Sequence, residues 1–216
     1  MLIEIFSDTI CPWCFIGKRR LERALAMQPE LDVEIRWRAF QLNPWMPPDG
    51  MERAAYLQAK FGAQDATRIY ENIRAVGVGE GLDFRFDRIR RTPNTLDSHR
   101  LIRHAAAAGR QNETVEALFS AYFLEGRDIG SRAVLAEIAD AAGLDADAAR
   151  RFLDSDAERE AVAAEDAQPR PMGIQGGPSF APDRAYAVSG AQEPEYFLPL
   201  FDLVRNGRER VAAAGE

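Results

Sequence analysis

The first hydrophobic run, Leu2-Ile3-Glu4-Ile5-Phe6, is short and almost continuously apolar, as expected of a central strand buried on both faces. Cys14, Gly17, Leu21, Ala24 and Leu25 then recur at helical spacing, with Lys18, Glu22 and Arg23 on other faces, until Gln28-Pro29 closes the pattern. From Val33 to Ala39 apolar and polar residues alternate strictly, which predicts a strand with one wet side near a sheet edge. Strand, helix and strand in such close succession predict a right-handed βαβ unit.

A loop rich in proline follows, Phe40-Gln41-Leu42-Asn43-Pro44-Trp45-Met46-Pro47-Pro48-Asp49-Gly50. From there to about residue 168 the spacing is helical: Ala66, Ile69, Ile73 and Val76 share one face, Val115, Leu118, Phe119, Tyr122 and Phe123 another, and Leu135, Ile138, Ala139 and Ala142 a third. Breaks are expected at Gly77-Val78-Gly79, Thr92-Pro93-Asn94, Gly109, Gly126 and Gly143. Leu82-Asp83-Phe84-Arg85-Phe86 alternates but is too isolated to count as a strand. Amphipathic spacing makes the aromatics of these faces core residues. After Pro169-Arg170-Pro171, short strands are predicted at Ser179–Ala181 and Arg184–Val188 around a Pro182-Asp183 turn. A last helix carries Phe197, Phe201 and Val204 on one face, and the tail from Asn206 to Glu216 is expected to fray.

Composition narrows the function. With 46% apolar and 28% charged residues, the chain has the make-up of a soluble globular protein. Its 27 basic and 34 acidic residues leave a net charge of −7, which argues against non-specific nucleic-acid binding. No run approaches the roughly 20 apolar residues of a membrane helix. The first residues include Glu4 and lack a basic leader followed by an apolar run, so a cytoplasmic location is expected.

Chemistry concentrates at Cys11-Pro12-Trp13-Cys14, which contains the two cysteines of the chain and sits where the strand pattern yields to the helical one. Two thiols at this spacing on a first helical turn can close into a disulfide and reopen. Helix-end N–H groups and the helix dipole favour the thiolate of Cys11, the expected nucleophile. Cys14, one turn further in and facing the sheet, is the expected resolving thiol. Zinc requires further ligands, and His99 and His104 do not share a helical face, so no metal is expected. In a reducing compartment, two cysteines are better read as a catalytic pair than as a structural disulfide. Trp13 either stacks on substrate or packs beside the sheet. Asp8 either braces the start of the helix or accepts a proton in the resolving step. His99 faces the cleft or serves structure, Lys18, Arg19 and Arg20 read as solvated helix charges, and Trp45 and Met46 are read as groove rim or simple packing.

Several motifs together resemble the DsbA family of thioredoxin-fold proteins, within it the FrnE-like subgroup. They are Asp8-x-x-Cys11-Pro12-Trp13-Cys14-x-Ile16-Gly17-Lys18-Arg19-Arg20, Phe40-Gln41-Leu42-Asn43-Pro44, Pro93-Asn94-Thr95 with His99-Arg100, Gly173-Ile174-Gln175-Gly176-x-Pro178-x-Phe180, and Ser189-Gly190-Ala191-Gln192. The resemblance implies an α/β thioredoxin-like fold with a large all-helical insertion between the βαβ unit and a C-terminal ββα unit. Residues 1–48 and 169–206 would form the thioredoxin-like domain, 49–168 the insertion and 207–216 the tail. It also implies a four-stranded mixed sheet with the first strand central, and a cis Gly177–Pro178 bond facing the cysteines. Gly177 would then present its backbone to an extended substrate. Pro12, Trp13, Gly177 and Pro178 become expected substrate contacts, and Asp8, Asn43 and His99 supporting residues. Gly177 replaces the side chain common before this proline, so a more open substrate contact is expected.

The function so implied is thiol–disulfide oxidoreduction on protein or small-molecule disulfides. The cofactor is the Cys11–Cys14 disulfide itself, and glutathione or a thioredoxin-type reductant is the expected partner. One alternative is a glutathione-dependent transferase or isomerase of the kappa-class or 2-hydroxychromene-2-carboxylate isomerase type, although those commonly carry Ser where Cys11 stands and a glutathione clamp where Gly190-Ala191-Gln192 stands. A further alternative is a chaperone-like polypeptide binder. The oligomeric state is left open.

Overall fold

The computed structural model describes residues 1–183 and 186–214, the side chains of 63–65 and 207–214 excepted. Strand β1 (Leu2–Ser7) lies inside a four-stranded sheet of order β2-β1-β5-β6. It pairs in parallel with β2 (Glu34–Ala39), Ile3 opposite Ile35 and Ile5 opposite Trp37. On its other side it pairs antiparallel with β5 (Ser179–Pro182), which bonds to β6 (Val188–Ser189). Helix α1 (Pro12–Ala26) connects β1 to β2. This is a thioredoxin-like fold, and its helical insertion runs between β2 and β5.

The alternating β2 is an edge strand, and side chains from the insertion cover its outer backbone. Gln111 Oε1 accepts from Trp37 N at 3.2 Å, Glu165 Oε2 from Ala39 N at 2.9 Å and, just past the strand, Asp166 Oδ1 from Gln41 N at 2.6 Å. These bonds satisfy donors that would otherwise invite another strand. Glu4, the one charge in β1, is buried and accepts from Arg38 Nε at 2.7 Å.

The insertion begins with a two-residue strand β3 (Met51–Glu52), paired with β4 (Arg91–Thr92), a ribbon that the periodicity did not reveal. Between them stand α2 (Arg53–Phe61) and α3 (Ala63–Gly79), followed by α4 (Leu96–Ala106), α5 (Gln111–Phe119), α6 (Arg132–Ala141), α7 (Ala146–Asp154) and α8 (Arg159–Ala167). The break expected at Gly77-Val78-Gly79 is present, since α3 ends at Gly79; Gly77 lies within its last turn, where the missing side chain makes room for Phe84, whose ring a Cβ would meet at 2.5 Å. Leu82 and Phe84 are buried in irregular chain, and Phe86 opens a 3-10 turn, so their alternation reflects core packing. A π-helical stretch, Ser120–Glu125, continues α5. Phe15 from α1 stacks on Phe119 with ring centroids 5.0 Å apart, and Phe84 meets Phe123 edge-on at 5.6 Å, so one aromatic core joins α1 to the insertion.

Three further expectations change. Lys18 is buried, 3% exposed, and pairs with Glu22 and, at 2.8 Å, with Glu116 of α5, while Arg19 also grips Glu116. Arg20 reaches Glu80 at 2.8 Å, so these charges tie α1 to the insertion and are not a solvated face. Arg100, fully buried, donates to the carbonyls of Phe152, Leu153, Ser155 and Ala157 and so closes the end of α7. The final helix, α9 (Leu198–Ala214), extends into the tail expected to fray, and residues 215–216 lie outside the described ones. The strand expected over Arg184–Val188 is β6, only Val188–Ser189, with 184–185 outside the described residues.

Candidate active site

The site forms where β1 ends. Cys11 occupies the N-cap of α1 with extended backbone, φ −96° and ψ 109°, and Pro12 starts the helix, where its missing N–H costs no bond. Cys11 N donates to Asp8 O and Cys14 N to Cys11 O, both at 3.0 Å, which sets the two cysteines on one tight turn. Both are free thiols and both are buried, Cys11 at 4% and Cys14 at 1% exposure.

Long-range packing supplies the opposite wall. The Gly177–Pro178 peptide is cis, and the Cys11 thiol donates to the Gly177 carbonyl at 3.4 Å across 166 residues of chain. A Cβ on Gly177 would lie 2.7 Å from Cys14 Sγ. The absent side chain therefore makes room for the inner sulfur, where the sequence had suggested a wider mouth. Gly17 does the same for Pro178, whose Cγ would sit 2.7 Å from an added Cβ.

The two sulfurs differ in setting. Burial pushes the Cys14 thiol well above its ordinary range, and neighbouring Cys11 raises it further, while the Ser7 side chain and the Asp8 backbone N–H pull partly the other way. Cys14 is therefore held as a thiol at neutral pH.

Around them, Pro12 is buried and Trp13 is half-buried, packed against the core beside the sheet. Asp8 is fully buried: Oδ2 accepts from Leu42 N at 2.6 Å, and Oδ1 lies 3.5 Å from Ile10 N and 3.5 Å from His99 Nε2. It thus binds the start of α1 to the loop after β2 and faces His99 of α4. His99 is 3% exposed, and its Nε2 makes no aligned hydrogen bond among the described residues, Asp8 included. Asn43 is turned to α2, where its side chain bonds Tyr56 and Lys60. Met46 is buried while Trp45 is 62% exposed. His104 stacks on Phe152 with centroids 4.4 Å apart. Among the described residues no group of three His, Cys, Asp or Glu could hold a metal ion.

Some contributors were not legible in the sequence. Thr9 and Ser98 share a hydroxyl bond at 2.7 Å that pins the cysteine loop to α4. An open groove of about 470 Å³ lies between α2 and α3, lined by Arg53, Leu57, Tyr70, Arg74 and Phe86 among others. Burial raises the Tyr70 phenol in this groove against the pull of Arg53. Ser7 was signalled only by its closeness to Cys11 in the chain.

The chain is 36% identical to the probable DsbA oxidoreductase SCO1869 from Streptomyces coelicolor, with a TM-score of 0.86 over 95% of this chain and 90% of that one. It shares its fold with a 2-hydroxychromene-2-carboxylate isomerase, at 17% identity and TM-score 0.69 over the full length of both chains. It likewise shares its fold with the cytosolic disulfide reductase DsbM from Pseudomonas aeruginosa in a structure with GSH, at 20% identity and TM-score 0.64 over 99% of this chain and 100% of that one. With the DSBA-like thioredoxin domain matched over residues 2–201, the chain belongs to that family.

Proposed function

We propose that this protein is a thiol–disulfide oxidoreductase in which Cys11 attacks and Cys14 resolves. The observation that carries the reading is the contrast between the two sulfurs. Cys11 stands at a helix N-cap within 3.4 Å of the Gly177 carbonyl, while Cys14 is walled in behind it. In the reductive direction the Cys11 thiolate attacks a substrate disulfide, forming a mixed disulfide and expelling one thiolate. Cys14 then attacks Cys11 Sγ, forming the intramolecular disulfide and releasing the second thiolate. The two electrons gained by the substrate come from the pair. Protons lost by Cys11 and Cys14 complete the two released thiols.

An extended substrate would meet the Gly177 backbone beside Cys11, with Pro12, Trp13 and Pro178 bordering it. Cytoplasmic work with glutathione as co-substrate is supported by the fold shared with DsbM, a cytosolic reductase described with GSH. The FrnE-like placement rests on the sequence motifs. To test the function, the pair is equilibrated with glutathione and insulin reduction and disulfide isomerisation are assayed. Activity that survives in full in Cys11→Ser would sink the reading.

The shared fold of 2-hydroxychromene-2-carboxylate isomerase favours one second reading, glutathione-dependent transfer or isomerisation. It predicts tight glutathione binding to Cys11→Ser by calorimetry together with no disulfide turnover by the wild type.

A further inference from the structure

Cys14 poses a problem that the substrate face does not solve. It must lose its proton when it attacks, yet it is 1% exposed and its burial favours the thiol. A base must therefore be reachable inside the protein, or attack is slow.

Between Ser7 and His99 lies a small cavity of about 10 Å³, on the scale of a single water. Its wall includes Ser7, Thr9, His99, Arg38, Arg103 and Glu165. Ser7 lines this cavity, and its Cα and the Cys14 sulfur both border the space that a Gly177 side chain would take, at 3.5 and 2.7 Å from the added Cβ. His99 brings to it a buried imidazole whose Nε2, without an aligned partner, lies 3.5 Å from the Asp8 carboxylate. On the far wall Glu165 Oε1 accepts from Arg38 at 2.8 Å and from Arg103 at 3.0 Å. The same three residues line an open groove of about 590 Å³ along the β2 edge. Polar groups thus run from the inner sulfur to solvent on the side of the molecule bounded by β2, α4 and α8.

Resting on the oxidoreductase reading, we propose that the Cys14 proton leaves through the back of the site: Ser7 and one cavity water pass it to His99. Asp8 is the counter-charge of the protonated imidazole, and the Glu165–Arg103–Arg38 cluster links the cavity to solvent. As Cys14 Sγ bonds to Cys11 Sγ, the bond from Cys11 to the substrate sulfur breaks and that sulfur leaves as thiolate. The Cys14 proton moves to His99 and returns through the same groups to solvent, which protonates the departed thiolate. His99 and Asp8 touch no reacting atom and are positioning residues. The charged or titratable groups facing His99 are Asp8 from the β1–α1 loop and, across the cavity, Arg38 of β2, Arg103 of its own helix and Glu165 of α8. Two hydroxyls, Thr9 and Ser98, lock the loop and helix that carry Asp8 and His99.

The test uses reduced full-length protein and Ellman's reagent, which releases one coloured thiolate when Cys11 attacks and a second when Cys14 resolves. In His99→Gln the first phase keeps its rate within about twofold. The second slows on the order of 100-fold near pH 7 and climbs about tenfold per pH unit as hydroxide takes over. Free imidazole restores the second phase of His99→Ala. An equal slowing of both phases, or a second phase with the wild-type rate and pH profile, overturns the proposal. Should both variants fail to fold, the ¹⁵N resonances of His99 in the wild type decide: a shift between the dithiol and disulfide states supports the relay, and none overturns it. A wild type with no second phase at all would instead defeat the oxidoreductase reading.

Discussion

Cys11 and Cys14 are the same residue type three positions apart, yet they occupy two different regions of the molecule. In front, Cys11 caps a helix and bonds a backbone carbonyl. Behind, Cys14 fits into the space that Gly177 leaves by having no side chain, with Ser7 and Asp8 beside it and His99 beyond them. The difference teaches that a pair of cysteines is made unequal by its walls, since the thiols themselves are identical. On the proposed reading, one wall would admit substrate, while the other would hold a proton on the sulfur until the mixed disulfide forms.

The strongest break of this comparison is substitution of each sulfur. Cys11→Ser should abolish both thiolate-release phases, while Cys14→Ser should keep the first and trap a mixed disulfide, visible by mass spectrometry as one added substrate thiol. Equal behaviour of the two variants would contradict the division into attacking and resolving sulfurs.

Next in size is the wall itself. Gly177→Ala places a Cβ where Cys14 Sγ is 2.7 Å away, so overpacking should cost about 1–3 kcal/mol in denaturant unfolding of the reduced protein. A loss below about 0.5 kcal/mol would mean that the back wall gives way freely.

Reactivity gives a third, milder measure. With its thiol raised by burial, Cys14 in the folded, reduced protein should alkylate with iodoacetamide at pH 8 at least about tenfold more slowly than Cys11. Peptide mapping after timed quenching reads both rates, and comparable labelling would erase the contrast.

The smallest effect concerns the helix that carries both sulfurs. Burial raises the Glu116 carboxyl, but its bonds to Arg19 and Lys18 outweigh this and hold it below its ordinary range. As pH falls, the unfolded chain takes up that proton first. The stabilisation is therefore present above the ordinary carboxylate range and lost as pH drops through the depressed value. Glu116→Gln should cost about 1 kcal/mol at neutral pH, and its thermal unfolding curve should converge with that of the wild type in acid. A constant gap at every pH would assign the loss to packing.

How much of this was readable beforehand depended on distance along the chain. The apolar run of β1, the alternation of β2 and the helical spacing after Cys14 each report a local period, and the elements formed where those periods stood. Lys18 was misjudged because its partner, Glu116, belongs to another helix, and a charge in a sequence does not announce its counter-ion. The break at Gly77-Val78-Gly79 was legible, but the close contact of Gly77 with Phe84 was not, since glycine marks either a joint or a close approach and only the arrival of Phe84 shows the second. Asp8 and His99 were legible as candidates, whereas their 3.5 Å approach and the cavity behind them were not.

By itself, the sequence determined the turn that joins β1 to α1, because three bonded residues and a proline confine the backbone within a few dihedral angles. It also placed Cys11 at the helix cap and Cys14 in the first turn, since the strand pattern yields to the helical one between Phe6 and Cys14. Tertiary structure alone decided what stands against each sulfur: the Gly177 carbonyl at the front, Ser7, Asp8 and His99 at the back. Those groups converge only when β5 and α4 pack beside β1. Such packing follows from the burial of the whole core, which no window of local spacing contains.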